Sequence, residues 1–157
     1  MVKILMMSDS YHTISGFATA SRNLATGLSK MGYDVNYIGW QSFGQDWLAA
    51  NREGLLGFKA LPNVGGQKFG EQAWKFWMNQ LNPDLFFILS DFWMSIDSFR
   101  HEKPCPYMMW YPIDGAPVTD QIVEMLKRID YPVCMSEYGT DLVRTEGIAT
   151  KTIYHGV

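Results

Sequence analysis

The feature that most constrains this chain is an alternation that begins at its first residues. The apolar run VKILMM passes through a polar loop holding one glycine, Gly16, into a stretch with helical spacing. Strand-like runs then recur at 2–7, 35–40, 56–60, 85–89, 107–110, 133–135 and 152–154. Several are near-continuous apolar stretches, as expected of parallel strands covered on both faces. In the first helix Phe17, Ala20, Leu24, Leu28 and Met31 form one apolar stripe, while Arg22, Asn23 and Lys30 fall off it. Ser15 is placed to cap that helix and Gly32 to end it. Further helices are expected over 69–81, ended by Asn82–Pro83, over 117–128, and over 138–146, ended by Gly147. The alternation also demands a helix between the fourth and fifth strands, for which no apolar stripe marks a range. The sum is an α/β chain with a doubly wound, mostly parallel sheet and helices on both faces, Rossmann-like in kind.

At 157 residues the chain fits one domain, 1–157. A hydrophobic share of 47% is enough to cover both faces of such a sheet. The formal net charge of -3, with mixed signs, argues against a nucleic-acid surface. The first apolar run is too short and too early for a signal peptide, and no stretch approaches the ~20 apolar residues of a membrane helix. A cytoplasmic location is therefore expected. Cys105 and Cys134 stand alone, without CxxC spacing, and read as small buried hydrophobes.

In open parallel sheets ligands bind beyond the carboxyl ends of the strands. Those ends carry Ser8, Asp9, Tyr11, His12, Ser15 and Gly16; then SDFW from Ser90 to Trp93; then YPIDGAP from Tyr111 to Pro117; then SEYG from Ser136 to Gly139. Topology brings these clusters to one rim. Several chemistries are disfavoured there. The first turn lacks GxGxxG and the second strand ends in Trp40–Gln41, so an NAD site is not expected. There is neither GxxxxGK[ST] nor GxSxG, and no DxD pair to hold a divalent metal on a diphosphate. His12, His101 and His155 lack zinc-ligand spacing, and Asp9, Asp91 and Asp114 lack the adjacent acids of a Mg²⁺ receiver pocket. No bound metal or other cofactor is expected. Gly16 at a helix start lets a backbone approach a phosphate or sugar hydroxyl; it equally suits a tight strand-to-helix turn.

The opening segment, from MVKILMMSDSYHTISGF to MGYDVNYIGW, resembles the start of the N-terminal domain of family 4 glycosyltransferases, which have the GT-B fold. VCMSEYGTDLVRTEGI is similar to that family's SE strand-end and following helix, and KTIYHGV to the lead-in to its interdomain linker. The resemblance implies the acceptor-side half of a retaining enzyme. Such an enzyme moves a sugar from a nucleotide-sugar donor to a hydroxyl of a glycan, lipid or protein acceptor, generally without a bound metal. The donor is held mainly by a C-terminal domain outside these residues, so the chain alone is expected to turn nothing over.

The resemblance also places Ser15 and Gly16 near the donor diphosphate. It makes His12, Asp91, Trp93, Tyr111, Ser136, Glu137 and Tyr138 candidate acceptor contacts. Where many relatives have a His after the fifth strand, this chain has Tyr111–Pro112–Ile113–Asp114. Asp114 is then the candidate catalytic base, unless it is a turn or capping residue of IDGAP or the leaving phosphate takes the proton. Phe92, Trp93, Trp110 and Tyr138 offer rings to a sugar face or an apolar tail. Trp74, Trp77, Met78 and Leu81 form a helical stripe, read as core; with Lys68 and Lys75 it also permits peripheral contact with the cytoplasmic face of a membrane, since many relatives glycosylate lipids. A stand-alone glycan- or protein-binding module is the alternative. It should present a polar cleft face, where half an enzyme should leave an apolar or charged one.

Overall fold

A computed structural model describes residues 1–43, 46–52, 54 and 56–155. The strands are β1 (Lys3–Ser8), β2 (Asp34–Gly39), β3 (Lys59–Leu61), β4 (Leu85–Leu89), β5 (Tyr107–Tyr111), β6 (Tyr131–Cys134) and β7 (Lys151–Thr152). They form one sheet in the order β3-β2-β1-β4-β5-β6-β7, and every neighbouring pair is parallel. The helices are α1 (Gly16–Lys30), α2 (Asp46–Arg52), α3 (Glu71–Leu81), α4 (Phe92–Phe99), α5 (Asp120–Leu126) and α6 (Glu137–Thr145). The chain is thus an α/β domain with a doubly wound parallel sheet of Rossmann-like order.

Strand residues alternate between the two faces. Leu5, Met7, Ile38, Trp40, Phe86, Ile88, Tyr107, Met109 and Tyr111 point to one face, where they pack with Trp74 and Met78 of α3, Phe92 and Phe99 of α4, Leu126 of α5 and Val143 of α6. Ile4, Met6, Val35, Tyr37, Phe87, Leu89, Trp110, Val133 and Met135 point to the other. Among the described residues α1 is the sole helix packed into that second cluster, through Ala25, Phe17, Ala20, Leu24 and Leu28.

The local reasons for these elements are legible. Ser15 is extended and its Oγ accepts the Ala18 N–H at 3.0 Å, so α1 starts one residue later. Met31 is not the end of the apolar stripe but the exposed C-cap, and Gly32 turns the chain away at φ +92°. α3 begins at Glu71 rather than 69 because Gly70 takes a left-handed φ of 71°. Phe69 is left outside the helix, edge-on to Trp40 and Trp93. α5 begins at Asp120 rather than 117 because Thr119 caps it. α4 escapes a stripe search because Ser95 and Ser98 occupy buried positions between Phe92 and Phe99. β3, β6 and β7 overlap the apolar runs that announce them, with ends shifted by one to three residues. After β7 the chain stays close to the sheet, Trp110 Nε1 donating to the Ile153 carbonyl at 2.8 Å. Gly156 and Val157, the end of the HGV segment, lie outside the described residues. Among the described residues no helix is long and apolar enough to cross a membrane.

Candidate functional site

The strand order reverses between β1 and β4. The loops that leave these two strands diverge, which opens a crevice at their carboxyl ends. The β1 side of this crevice is built on Asp9, which is 8% exposed. Its carboxylate accepts from Ser15 Oγ at 2.6 Å and from Gln41 Nε2 at 2.8 Å, while Gln41 Oε1 accepts the Ser10 N–H at 2.7 Å. The Asp9 carbonyl accepts the Tyr37 hydroxyl, and Arg22 donates to the Tyr11 carbonyl at 2.9 Å. Burial pushes the Tyr37 phenol far up, so it stays a neutral donor. The loop from Asp9 to Ser15 is therefore held from several sides before any ligand arrives.

This arrangement changes the role expected of Ser15. Its hydroxyl donates to Asp9 and accepts from Ala18, so its one proton is committed within the chain. The groups left for an outside partner are the first-turn N–H groups of Gly16 and Phe17, which have no intrahelical acceptor. Gly16 is exposed, and a Cβ built on it meets nothing within 4 Å. Neither packing nor a left-handed φ requires glycine here. Its consequence is an open backbone at the positive end of α1.

From β4 comes Asp91, at the N-cap position of α4, yet its side chain makes no capping bond. Burial, and then the nearby charges of Asp114 and Asp9, raise its pKa, opposed by a hydrogen bond from Trp93. From β5 comes Asp114, exposed in the loop that contains the cis Ala116–Pro117 bond. It does not cap α5, since Thr119 does.

Asp91, Pro112 and Asp114 are shared by two adjoining cavities. The larger, of about 1100 Å³, runs along α1 and is walled by Ile14, Phe17, Ala20, Leu24, Trp110 and Met135, with Ser15, Gly16 and His155 at its edges. The smaller, of about 360 Å³, lies between α4 and α5 and is bordered by Trp93, Ile113, Thr119 and Gln121. Among the described residues no Lys or Arg lines either one. Among the described residues no group of three or more His, Cys, Asp or Glu side chains is arranged to hold a metal ion.

Seven of the sequence-derived candidates meet at this crevice: Ser15, Gly16, Asp91, Asp114 and Trp93, with the ring candidates Phe92 and Trp110. Trp93 is 60% exposed, edge-on to Phe69 at 5.2 Å. The others do not join them. Tyr111 is fully buried on the opposite side of β5 from Trp110, and its hydroxyl pairs with Thr150 Oγ1 at 2.9 Å. It is a core residue rather than an acceptor contact, because the period-2 pleat turns it toward the α3–α6 layer. Ser136 caps α6, accepting the Gly139 N–H at 3.1 Å. Glu137, Tyr138 and His12 are exposed but line neither cavity, and His12 packs edge-on to Tyr11 at 5.2 Å. Trp110, read as core or rim, serves as both: it is 8% exposed and forms a wall of the larger cavity. Sequence reasoning missed Gln41 and His155, and it did not single out Asp9 as the organiser. The available signal was that Asp9 and Gln41 both follow neighbouring parallel strands, which puts their side chains within reach of each other.

The chain matches no protein-family model and has no significant match among curated proteins.

Proposed function

We propose that this chain is the acceptor-side domain of a retaining glycosyltransferase of the GT-B kind. One observation carries the reading. At the switch point the open N-terminus of α1, with Gly16 exposed, borders the same cavity as Asp91 and Asp114. A helix N-terminus suits the phosphate of a nucleotide-sugar donor, and paired carboxylates suit the hydroxyls of an acceptor. In this reading the N–H groups of Gly16 and Phe17 meet the donor diphosphate, whose remaining charge is met by a second domain. Asp91 and Asp114 orient the acceptor hydroxyl, and Asp114, being exposed, takes its proton. Trp93 offers a ring to a sugar face at the side of the site. The reading carries a cytoplasmic location with it. The unpaired cleft wall, apolar along α1 and acidic at Asp91 and Asp114, supports half of a two-domain site over a self-sufficient binding module.

The test begins with the coding sequence beyond Val157, followed by assay of the complete product with a panel of nucleotide sugars. A second α/β unit is expected, with transfer that falls about 100-fold or more in Asp114→Asn. Gly16→Ala is expected to leave stability unchanged or raise it by up to about 1 kcal/mol, since alanine is the better helix former. The same change should weaken donor use by crowding the approach to the backbone. A stop codon directly after Val157, or turnover indifferent to both substitutions, would refute the proposal.

A further inference from the structure

We infer that the molecule this cleft accommodates is an amphiphile: an uncharged, hydroxyl-bearing head at Asp91 and Asp114, and an apolar alkyl or aryl body along α1. Calling that molecule the acceptor rests on the transferase reading; its chemistry does not. The α1 side of β5 and β6 carries Trp110 and Val133, with Met135 just past the end of β6, yet among the described residues α1 is the sole helix packed into that cluster. The result is the groove of about 1100 Å³, with Phe17, Ala20 and Leu24 on one wall and Trp110 and Met135 on the other. Small-molecule pockets are mostly apolar and hold roughly 300–1,000 Å³, so the groove has room for an extended body. A wholly polar oligosaccharide laid along these walls would lose water from hydroxyls that find no partner there.

The head end has the opposite chemistry. Asp91 and Asp114 both border the groove, Asp9 lies close enough to act on Asp91, and no Lys or Arg among the described residues lines the space. An anionic head at Asp91 and Asp114 would meet carboxylates, against which the groove sets only His155 and the partial positive charge at the start of α1, the N–H groups assigned above to the donor. An uncharged polyol instead donates hydrogen bonds to the carboxylates. Apolar walls ending in acceptor-only groups thus select both halves of the ligand.

The test uses the 157-residue chain and three probes below their micellar concentrations: octyl glucoside, methyl glucoside, and octyl phosphate as the tail-matched anion. Binding is followed by amide shift changes in NMR spectra. Octyl glucoside is expected to bind saturably, shifting amides at Ala20, Trp110 and Asp114. It should bind at least about tenfold more tightly than methyl glucoside, the gain expected for burying two or three methylenes. Octyl phosphate should bind at least about tenfold more weakly, and Asp91→Asn with Asp114→Asn should narrow that gap. Ala20→Phe, which fills the groove, should remove the tail's advantage, and the tail comparison in the unsubstituted chain stands without it. Equal affinity for the octyl and methyl glucosides, octyl phosphate binding as well as octyl glucoside, or a self-associated chain that binds none of them would overturn the inference. Octyl glucoside binding with no transferase activity in the complete product leaves the amphiphile site standing and removes the transferase reading. Transfer to a purely polar acceptor with no alkyl binding does the reverse.

Discussion

Ser15→Ala is the substitution that most directly tests how the cleft is organised. It removes the hydroxyl that accepts the Ala18 N–H at 3.0 Å and donates to Asp9 at 2.6 Å. Loss of a serine N-cap costs about 1 kcal/mol, and a hydrogen bond to a charged group is worth about 1.5–3 kcal/mol. The second cost is discounted because Gln41 still donates to the other Asp9 oxygen. A total of about 2–3 kcal/mol follows, equivalent to a fall in Tm of roughly 5–10 °C for a chain of this size. Urea unfolding of the wild type, Ser15→Ala and Ser15→Thr measures it, with the threonine variant retaining the hydroxyl and staying within about 0.5 kcal/mol of wild type. Adding Asp9→Asn supplies a double-mutant cycle, and the pair should be coupled by about 1 kcal/mol or more. A loss below about 0.5 kcal/mol for Ser15→Ala, or strict additivity with Asp9→Asn, would show that Ser15 does not tie the loop to Asp9.

Other outcomes follow from single residues. Gly39→Ala should destabilise by about 1–3 kcal/mol or more, because its Cβ would lie 2.6 Å from Ser42 Oγ and 2.7 Å from the Ser10 backbone; thermal melts decide it, and a neutral change would refute the packing. Asp91 holds its proton more tightly in the folded chain than in the unfolded one, so stability should fall as pH rises from the ordinary carboxylate range through its raised pKa. Asp91→Asn should therefore be more stable than wild type at neutral pH and equal to it in acid, and urea titrations at the two pH values show whether the gap closes. Tyr111→Phe should cost about 1 kcal/mol, the worth of its bond to Thr150, and under the proposed transferase reading leave acceptor KM unchanged. A raised KM would return Tyr111 to the site. Burial pushes the Cys105 thiol up to about 11, so iodoacetamide should modify it slowly at neutral pH in the folded chain and quickly in urea.

The sheet and its parallel sense were legible in the sequence because a strand covered on both faces must be apolar at nearly every position, and that signal is local. Ser15 and Gly32, which bound the first helix, were legible for the same reason: a cap acts on its own neighbours. The existence of α4 followed from the alternation, but its bounds did not, because Ser95 and Ser98 are buried where a local stripe requires apolar residues.

The site divided along the same line. Gly16, Asp91 and Asp114 could be named because topology sends every strand end to one rim. Which side chains on that rim face a ligand depended on partners far away in the chain. Tyr111 left the site through Thr150, and Ser15 spent its proton on Asp9. The groove along α1 forms between residues far apart in sequence, Phe17, Ala20 and Leu24 on one wall and Trp110 and Met135 on the other. Periodicity reports what a residue needs from its immediate neighbours, whereas access to a cleft is decided by what the rest of the chain packs against it.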